Sequence, residues 1–170
     1  MQGSDVHAVL WDFGGVITTS PFDAFAAYEA AHGLEPGFIR RINATDPDTN
    51  AWARLERSEV GAEEFAALFE AEAAAAGGRV DAMEILAMLR GQLRPEMVEA
   101  VRRCHQKFKT ALLTNNFVDP GGVPSLYDEV LPHFDVVVES ARAGCRKPDP
   151  RFYRIALDQL EVGPAAAVFL

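Results

Sequence analysis

A chain of 170 residues, 49% hydrophobic and 24% charged, has the balance of an ordinary globular protein. It has room for one core, or for a core carrying a smaller inserted unit. Its net charge of −9 argues against nucleic-acid or anionic-membrane surfaces, which need clustered Lys and Arg; an anionic substrate would require a local positive site.

Cys104 and Cys145 are the two cysteines, without CxxC spacing. Met1–His7 does not read as a secretory leader, and no apolar run approaches the roughly 20 residues of a membrane span. A reduced, cytoplasmic setting is expected.

The apolar run Val6 to Trp11 predicts a strand covered on both faces, as at the centre of a parallel sheet. It stops on Asp12, at the carboxyl end, where open α/β sheets place their ligands. Gly14 and Gly15 let the chain turn tightly and approach whatever Asp12 faces. Ser20-Pro21-Phe22-Asp23 combines an N-cap serine, proline at the first helical position and an acid in the first turn. The helix it opens runs toward Gly33, with Phe22, Phe25 and Ala26 on one face. Further helices are predicted over Pro36–Ala44 and Asn50–Arg57, with Asp46-Pro-Asp-Thr as the turn between them. Ala62–Ala76 carries Phe65, Leu68 and Phe69 at helical spacing and closes on Gly77-Gly78. A last helix spans about Asp81 to Arg90, so residues 20–91 make a purely helical block.

Pro95 opens a helix with Met97, Val101, Cys104 and Phe108 along one face. Lys109–Leu113 predicts a short strand ended by Thr114-Asn115-Asn116. Pro120-Gly-Gly reads as a loop, Pro124–Leu131 as a short helix and Phe134–Val138 as a strand. Arg142–Pro148 is expected to be irregular. Asp149-Pro150 caps a helix with Tyr153, Ala156, Leu157 and Leu160 on one side, and Ala166–Leu170 is the fourth strand. The order gives an α/β fold, a Rossmann-like parallel sheet with helices on both faces. Residues 1–19 and 92–170 form its core, and residues 20–91 are an inserted helical cap. Because a buried parallel strand needs cover, Ala166–Leu170 is expected to belong to a longer chain, with the C-terminal part of the core absent, or to meet a partner.

Three polar sites fall at predicted strand ends or just beyond them: Asp12, Thr114-Asn115 and Lys147. In a parallel sheet these loops lie on one side, so a carboxylate, a hydroxyl, an amide and an ammonium share one crevice. A carboxylate attacks phosphorus to give an aspartyl-phosphate. Thr114 and Asn115, with backbone N–H groups, suit phosphoryl oxygens, and Lys147 suits the charge on Asp12 and on the substrate. His32, at the end of a helix of the block, reads either as a capping histidine or as a proton donor to the crevice. His7, His105 and His133 have no ligand spacing. Arg142 and Arg146 flank Lys147 and read as solvated or as anion-attracting, and Cys145 as structural.

Ala8-Val-Leu-Trp-Asp-Phe-Gly-Gly-Val, Leu112-Leu-Thr-Asn-Asn and Arg146-Lys-Pro-Asp-Pro-Arg-Phe-Tyr resemble motifs one, two and three of the haloacid dehalogenase superfamily. The chain is most similar there to the phosphatase-type domain at the N-terminus of soluble epoxide hydrolases and of acyl-CoA dehydrogenase fusions. The resemblance implies that Asp12 is the nucleophile and a magnesium ligand, with the Gly14 carbonyl as a second ligand. It implies phosphate binding by Gly15, Thr114, Asn115 and Lys147, with Thr114 and Lys147 also serving catalysis. The substrate would be a small phosphorylated molecule, the cofactor Mg²⁺, and the helical block a mobile cap; homo-oligomerisation is left open.

Two features depart from the family pattern. Gly14 stands where a second aspartate usually acts as general acid, a contribution of about 10²–10⁴ in rate. The aspartates of motif four, which follow the strand ending here at Leu170, are missing from the chain, so weak metal binding and little or no turnover are expected of these 170 residues by themselves. Dehalogenase chemistry on carbon, or a non-catalytic binding module, are therefore the alternatives to a phosphatase.

Overall fold

The computed structural model describes residues 6–89, 91–117 and 128–170. Within these, four strands form a wholly parallel sheet in the order β3-β2-β1-β4: β1 (Ala8–Asp12), β2 (Lys109–Thr114), β3 (Val136–Glu139) and β4 (Ala167–Phe169). Register places Asp12 beside Leu113 and Thr114 beside Glu139, so the carboxyl ends of β1, β2 and β3 lie along one edge.

Both faces of the sheet are covered, which explains the unbroken apolar run in β1. Val9, Trp11 and Leu112 pack with Val101 of α6 (Pro95–His105) on one side. Ala8, Leu10, Ala111 and Leu113 pack with Phe152, Ala156, Leu157 and Leu160 of α8 (Pro150–Leu160) on the other. The apolar residues of α8 recur at helical spacing, and its start is set by Asp149, whose carboxylate accepts the Arg151 N–H at 2.9 Å. β4 pairs with β1 at the edge of the sheet, where Val168 and Phe169 are exposed; no described strand pairs with its outer side.

Between β1 and α6 run five helices: α1 (Pro21–Ala31), α2 (Phe38–Ala44), α3 (Ala51–Glu56), α4 (Ala62–Ala75) and α5 (Ala82–Met88). They have a core of their own built on Phe25, Tyr28, Ile39, Trp52, Phe65, Phe69 and Ile85. Trp52 meets Phe65 edge-on with ring centroids 4.8 Å apart. Buried Glu29 accepts the N–H groups of Gly37 and Ile39 at 2.7 and 2.9 Å, so its charge is met by backbone donors at the start of α2. Asn50 caps α3 by accepting the Ala53 N–H, and its amide donates to the Asn43 and Thr45 carbonyls, tying α3 to α2.

Gly78 fills a place with no room for a side chain, because an added Cβ would lie 2.2 Å from Phe38 Cζ. Gly78→Ala is expected to destabilise the protein by about 1–3 kcal/mol through overpacking, read as a lower denaturation midpoint.

The two chain passages between helical block and sheet are stitched together. Thr18 and Leu93 form an antiparallel bridge, Thr19 N–H donates to the Gln92 carbonyl, and Arg94 N–H donates to the Ile17 carbonyl, both at 2.9 Å.

Three expectations are adjusted. The helix predicted from Pro36 begins at Phe38, because Gly37 holds a left-handed φ of 81° that helical backbone excludes. Ser140–Ala143 forms one helical turn (α7), overlapping the stretch expected to be irregular; Gly144, at a φ of 64°, closes it. Leu131–His133 is a 3-10 turn, not the end of an α-helix. The Pro120-Gly-Gly loop, the first half of the Pro124–Leu131 segment and Arg90 lie outside the described residues.

Candidate active site

Asp12 ends β1, and its Oδ1 accepts the following Phe13 N–H at 2.7 Å. The same oxygen is paired with Lys147 Nζ, which also donates to the Leu113 carbonyl at 2.9 Å. An ammonium from the loop after β3 therefore reaches across β2 to the carboxylate of β1. Burial pushes the Lys147 ammonium below its ordinary range, opposed chiefly by Asp12 and less by Glu56.

Asn115 holds the peptide that carries this lysine. Its Oδ1 accepts the Lys147 N–H at 2.9 Å, and its Nδ2 donates to the Lys147 carbonyl at 3.2 Å. The sequence reading gave Asn115 to phosphoryl oxygens, whereas in the structure the side chain spends both polar atoms on the Lys147 loop. Asn115→Ala is expected to leave two backbone groups unmet, costing about 1–3 kcal/mol of stability, with a larger loss of activity than of substrate affinity. Thr114 is buried at the end of β2, and the contact of its hydroxyl with the Asn115 carbonyl is long, at 3.5 Å.

Asn116 joins the loop after β2 to the end of β3. Its Nδ2 donates to Glu139 at 2.7 Å, and the Ser140 hydroxyl accepts the Asn116 N–H while donating to the Asn116 carbonyl. Gly15 takes a left-handed φ of 84° in the turn after Asp12, as the tight turn demands. Gly14 does not, and an added Cβ there would meet only Pro21, at 3.6 Å, an ordinary contact.

The sequence reading missed two contributors. Tyr153, assigned only to an apolar helix face, has its hydroxyl pushed up by burial and then by the charge of Asp12. Its ring stands edge-on to Phe169 at 5.2 Å, and Lys147 Nζ lies 5.6 Å from the Phe169 centroid, so Tyr153 and Phe169 wall the lysine's side of the crevice. The signal was available, since Tyr153 closes the Arg146–Tyr153 motif. Glu56, at the end of α3, faces Lys147 electrostatically and carried no signal, because helix-end glutamates are common and its partner is distant in sequence.

The remaining candidates divide. His32 stacks on Tyr28 with centroids 3.9 Å apart, bonds the Tyr28 carbonyl through Nδ1 at 3.0 Å and faces Glu84, so it caps α1 within the helical block. Arg142 is exposed and pairs with Glu139. Arg146 is neither solvated nor aimed at the crevice, because it is bound to Glu56. Cys145 is buried among the residues packed on α8. No cluster of three or more His, Cys, Asp or Glu among the described residues is arranged to hold a metal. Asp12 would offer one carboxylate and the Gly14 main chain a carbonyl to a magnesium ion, which takes one or two carboxylates and completes its shell with waters and substrate phosphate. No helix among the described residues is long and apolar enough to cross a membrane.

A sequence model for haloacid dehalogenase-like hydrolases matches residues 6–170. Acyl-CoA dehydrogenase family member 10 of Mus musculus is 32% identical over 178 residues, covering 99% of this chain and 16% of that protein. Bifunctional epoxide hydrolase 2 of Sus scrofa is 42% identical over 79 residues, covering 44% of this chain and 14% of the relative. The chain thus spans about a sixth or less of the length of these curated relatives. Among solved structures, a family enzyme from Bacteroides thetaiotaomicron in complex with magnesium and inorganic phosphate superposes with a TM-score of 0.62 at 15% identity, covering 96% of this chain and 83% of that one. L-2-haloacid dehalogenase from Xanthobacter autotrophicus, with chloropropionic acid covalently bound, gives 0.60 at 20% identity, covering 96% and 69%. At such identities the structural matches show the fold.

Proposed function

Because the chain belongs to the haloacid dehalogenase-like hydrolase family, we infer that it is a magnesium-dependent phosphatase of small organic phosphates, working through an aspartyl-phosphate on Asp12. The observation that carries this reading is the Asp12–Lys147 pair at the carboxyl ends of parallel strands, with the buried Thr114 beside it. The ammonium beside this carboxylate suits an anionic ester, whose charge it offsets.

In the first step an Asp12 carboxylate oxygen attacks phosphorus, the bond from phosphorus to the ester oxygen breaks, and the leaving group departs as an oxyanion that takes its proton from water. In the second, water attacks the phosphorus of the acyl phosphate, the P–Oδ bond breaks, and inorganic phosphate leaves with Asp12 regenerated. Magnesium bound by Asp12 and the Gly14 carbonyl would offset charge on the phosphoryl oxygens. Lys147 holds Asp12 in place, and the Thr114 hydroxyl and turn N–H groups near Gly15 orient the phosphoryl group. The helical block acts as a cap that excludes water and selects the substrate. Gly14 supplies no proton, so esters with good leaving groups are the preferred substrates.

A dehalogenase is the second reading. Attack by Asp12 on carbon expels halide without a leaving-group proton, so it tolerates Gly14. The test is direct: the full-length protein with magnesium is expected to release phosphate from p-nitrophenyl phosphate and no chloride from 2-chloropropionate. Metal-independent chloride release would replace the phosphatase reading, and inertness toward both would support a binding module.

A further inference from the structure

Both ends of α3 reach the loops around the crevice. Before the helix, the Pro47 carbonyl accepts from Arg146 Nη2. At its last residue, Glu56 Oε2 accepts from Arg146 Nη1 at 2.7 Å. Just beyond it, the Ser58 hydroxyl donates to the Ala141 carbonyl at 3.0 Å. The turns that present these groups are both in left-handed backbone, Asp46 at a φ of 46° and Ser58 at 57°. Residues with a Cβ adopt that conformation at a cost and keep it where the surroundings enforce it.

Arg146 stands on a fixed base. It adjoins Lys147, whose N–H and carbonyl are both held by Asn115, while α3 belongs to a block joined to the sheet by two stitched passages. We propose that Arg146 is the docking post of the cap: its partly buried ion pair with Glu56, flanked by the Pro47 and Ser58 contacts, is the clamp that shuts α3 over the Lys147 side of the crevice. Arg146 is a positioning residue in this role and does not touch substrate. The clamp concerns the shut cap and stands whichever reaction Asp12 performs.

The pair is partly buried, with the Glu56 and Arg146 side chains 17% and 18% exposed. Such pairs contribute little net stability when intact but are costly to break from one side, which leaves a buried charge alone. The charged groups facing Glu56 are all cations: Arg146, Lys147 and, from its own helix end, Arg57. Burial nonetheless pushes the Glu56 carboxyl above its ordinary range. Removing Arg146 removes the largest opposing charge. Glu56 is then a lone buried carboxylate at neutral pH, which opens the cap, and protonation at acid pH lets it shut again.

Hydrogen–deuterium exchange of the protein tests this without any substrate, so it is independent of the phosphatase assignment. In Arg146→Ala, amides of residues 51–58 and 140–147 are expected to exchange about tenfold faster at neutral pH, the loss of roughly one charge-assisted hydrogen bond. After correction for intrinsic rates, that excess shrinks on acidification. The double variant Arg146→Ala/Glu56→Gln carries no buried charge and is expected to show no such pH dependence. Arg146→Lys, which keeps the ion pair but gives up the Pro47 carbonyl, is expected to fall between wild type and Arg146→Ala. Unchanged protection in Arg146→Ala, a rise spread equally over β1 and β2, a rise insensitive to pH, or wild-type protection in Arg146→Lys should the alanine variant fail to fold, would each overturn the clamp.

Discussion

Asp12→Asn is expected to lower phosphate release by about 10³-fold or more, the scale of removing a covalent nucleophile, with little change in the fold around it. An asparagine Oδ1 still accepts the Phe13 N–H bond that Asp12 makes at 2.7 Å, so the turn into Gly14 and Gly15 is kept. The negative charge is lost. Lys147, 12% exposed and already pushed down by burial, then faces a neutral amide in place of the carboxylate, beside the Leu113 carbonyl that accepts from it at 2.9 Å. Without its largest opposing influence it titrates at lower pH than in the wild type. The activity loss is therefore accompanied by a downward shift of the Lys147 titration, measurable by NMR of the labelled side chain. Wild-type turnover in Asp12→Asn would remove Asp12 from the chemistry.

Gly14→Asp is expected to act in the opposite direction. A general acid contributes about 10²–10⁴ in rate, and the position accepts a side chain: its backbone is not left-handed, and the new Cβ would meet Pro21 Cδ and Cγ at 3.6 and 3.8 Å. The neighbouring Gly15, at a φ of 84°, would be strained by the same change. An alkyl phosphate, whose alkoxide must be protonated as it leaves, should gain by about 10²-fold or more. p-Nitrophenyl phosphate, whose phenolate leaves unaided, should change little. That difference between leaving groups marks the aspartate as an acid. An equal effect on both esters, or none on either, would mean that the reaction does not need a proton at this place.

Much of the fold was readable because its signals are local. The apolar run into Asp12, the prolines opening α1, α6 and α8, and the capping residues Ser20, Asn50 and Asp149 each fix an element by short-range chemistry. The crevice followed from topology, since residues at the carboxyl ends of parallel strands converge whatever lies between them. The contacts across the cleft were hidden. Arg146 meets Glu56 and Pro47 across some 90 residues of chain, and Ser58 meets Ala141 across a similar span. No pattern in either segment announces such a partner. The hold of Asn115 on the Lys147 peptide was hidden for a related reason: an amide beside a phosphate-binding threonine reads as a ligand to the substrate, and its bonds to a loop 32 residues away emerge only in the fold.

The central claim is that Asp12 carries the phosphoryl group. The protein is mixed with magnesium and p-nitrophenyl phosphate, quenched in acid within the first turnover, and its peptides are weighed. A phosphoryl group on the peptide containing Asp12, absent from Asp12→Asn, is the predicted result. Phosphate release with that peptide unmodified, and the label instead on another residue or on none, would contradict it.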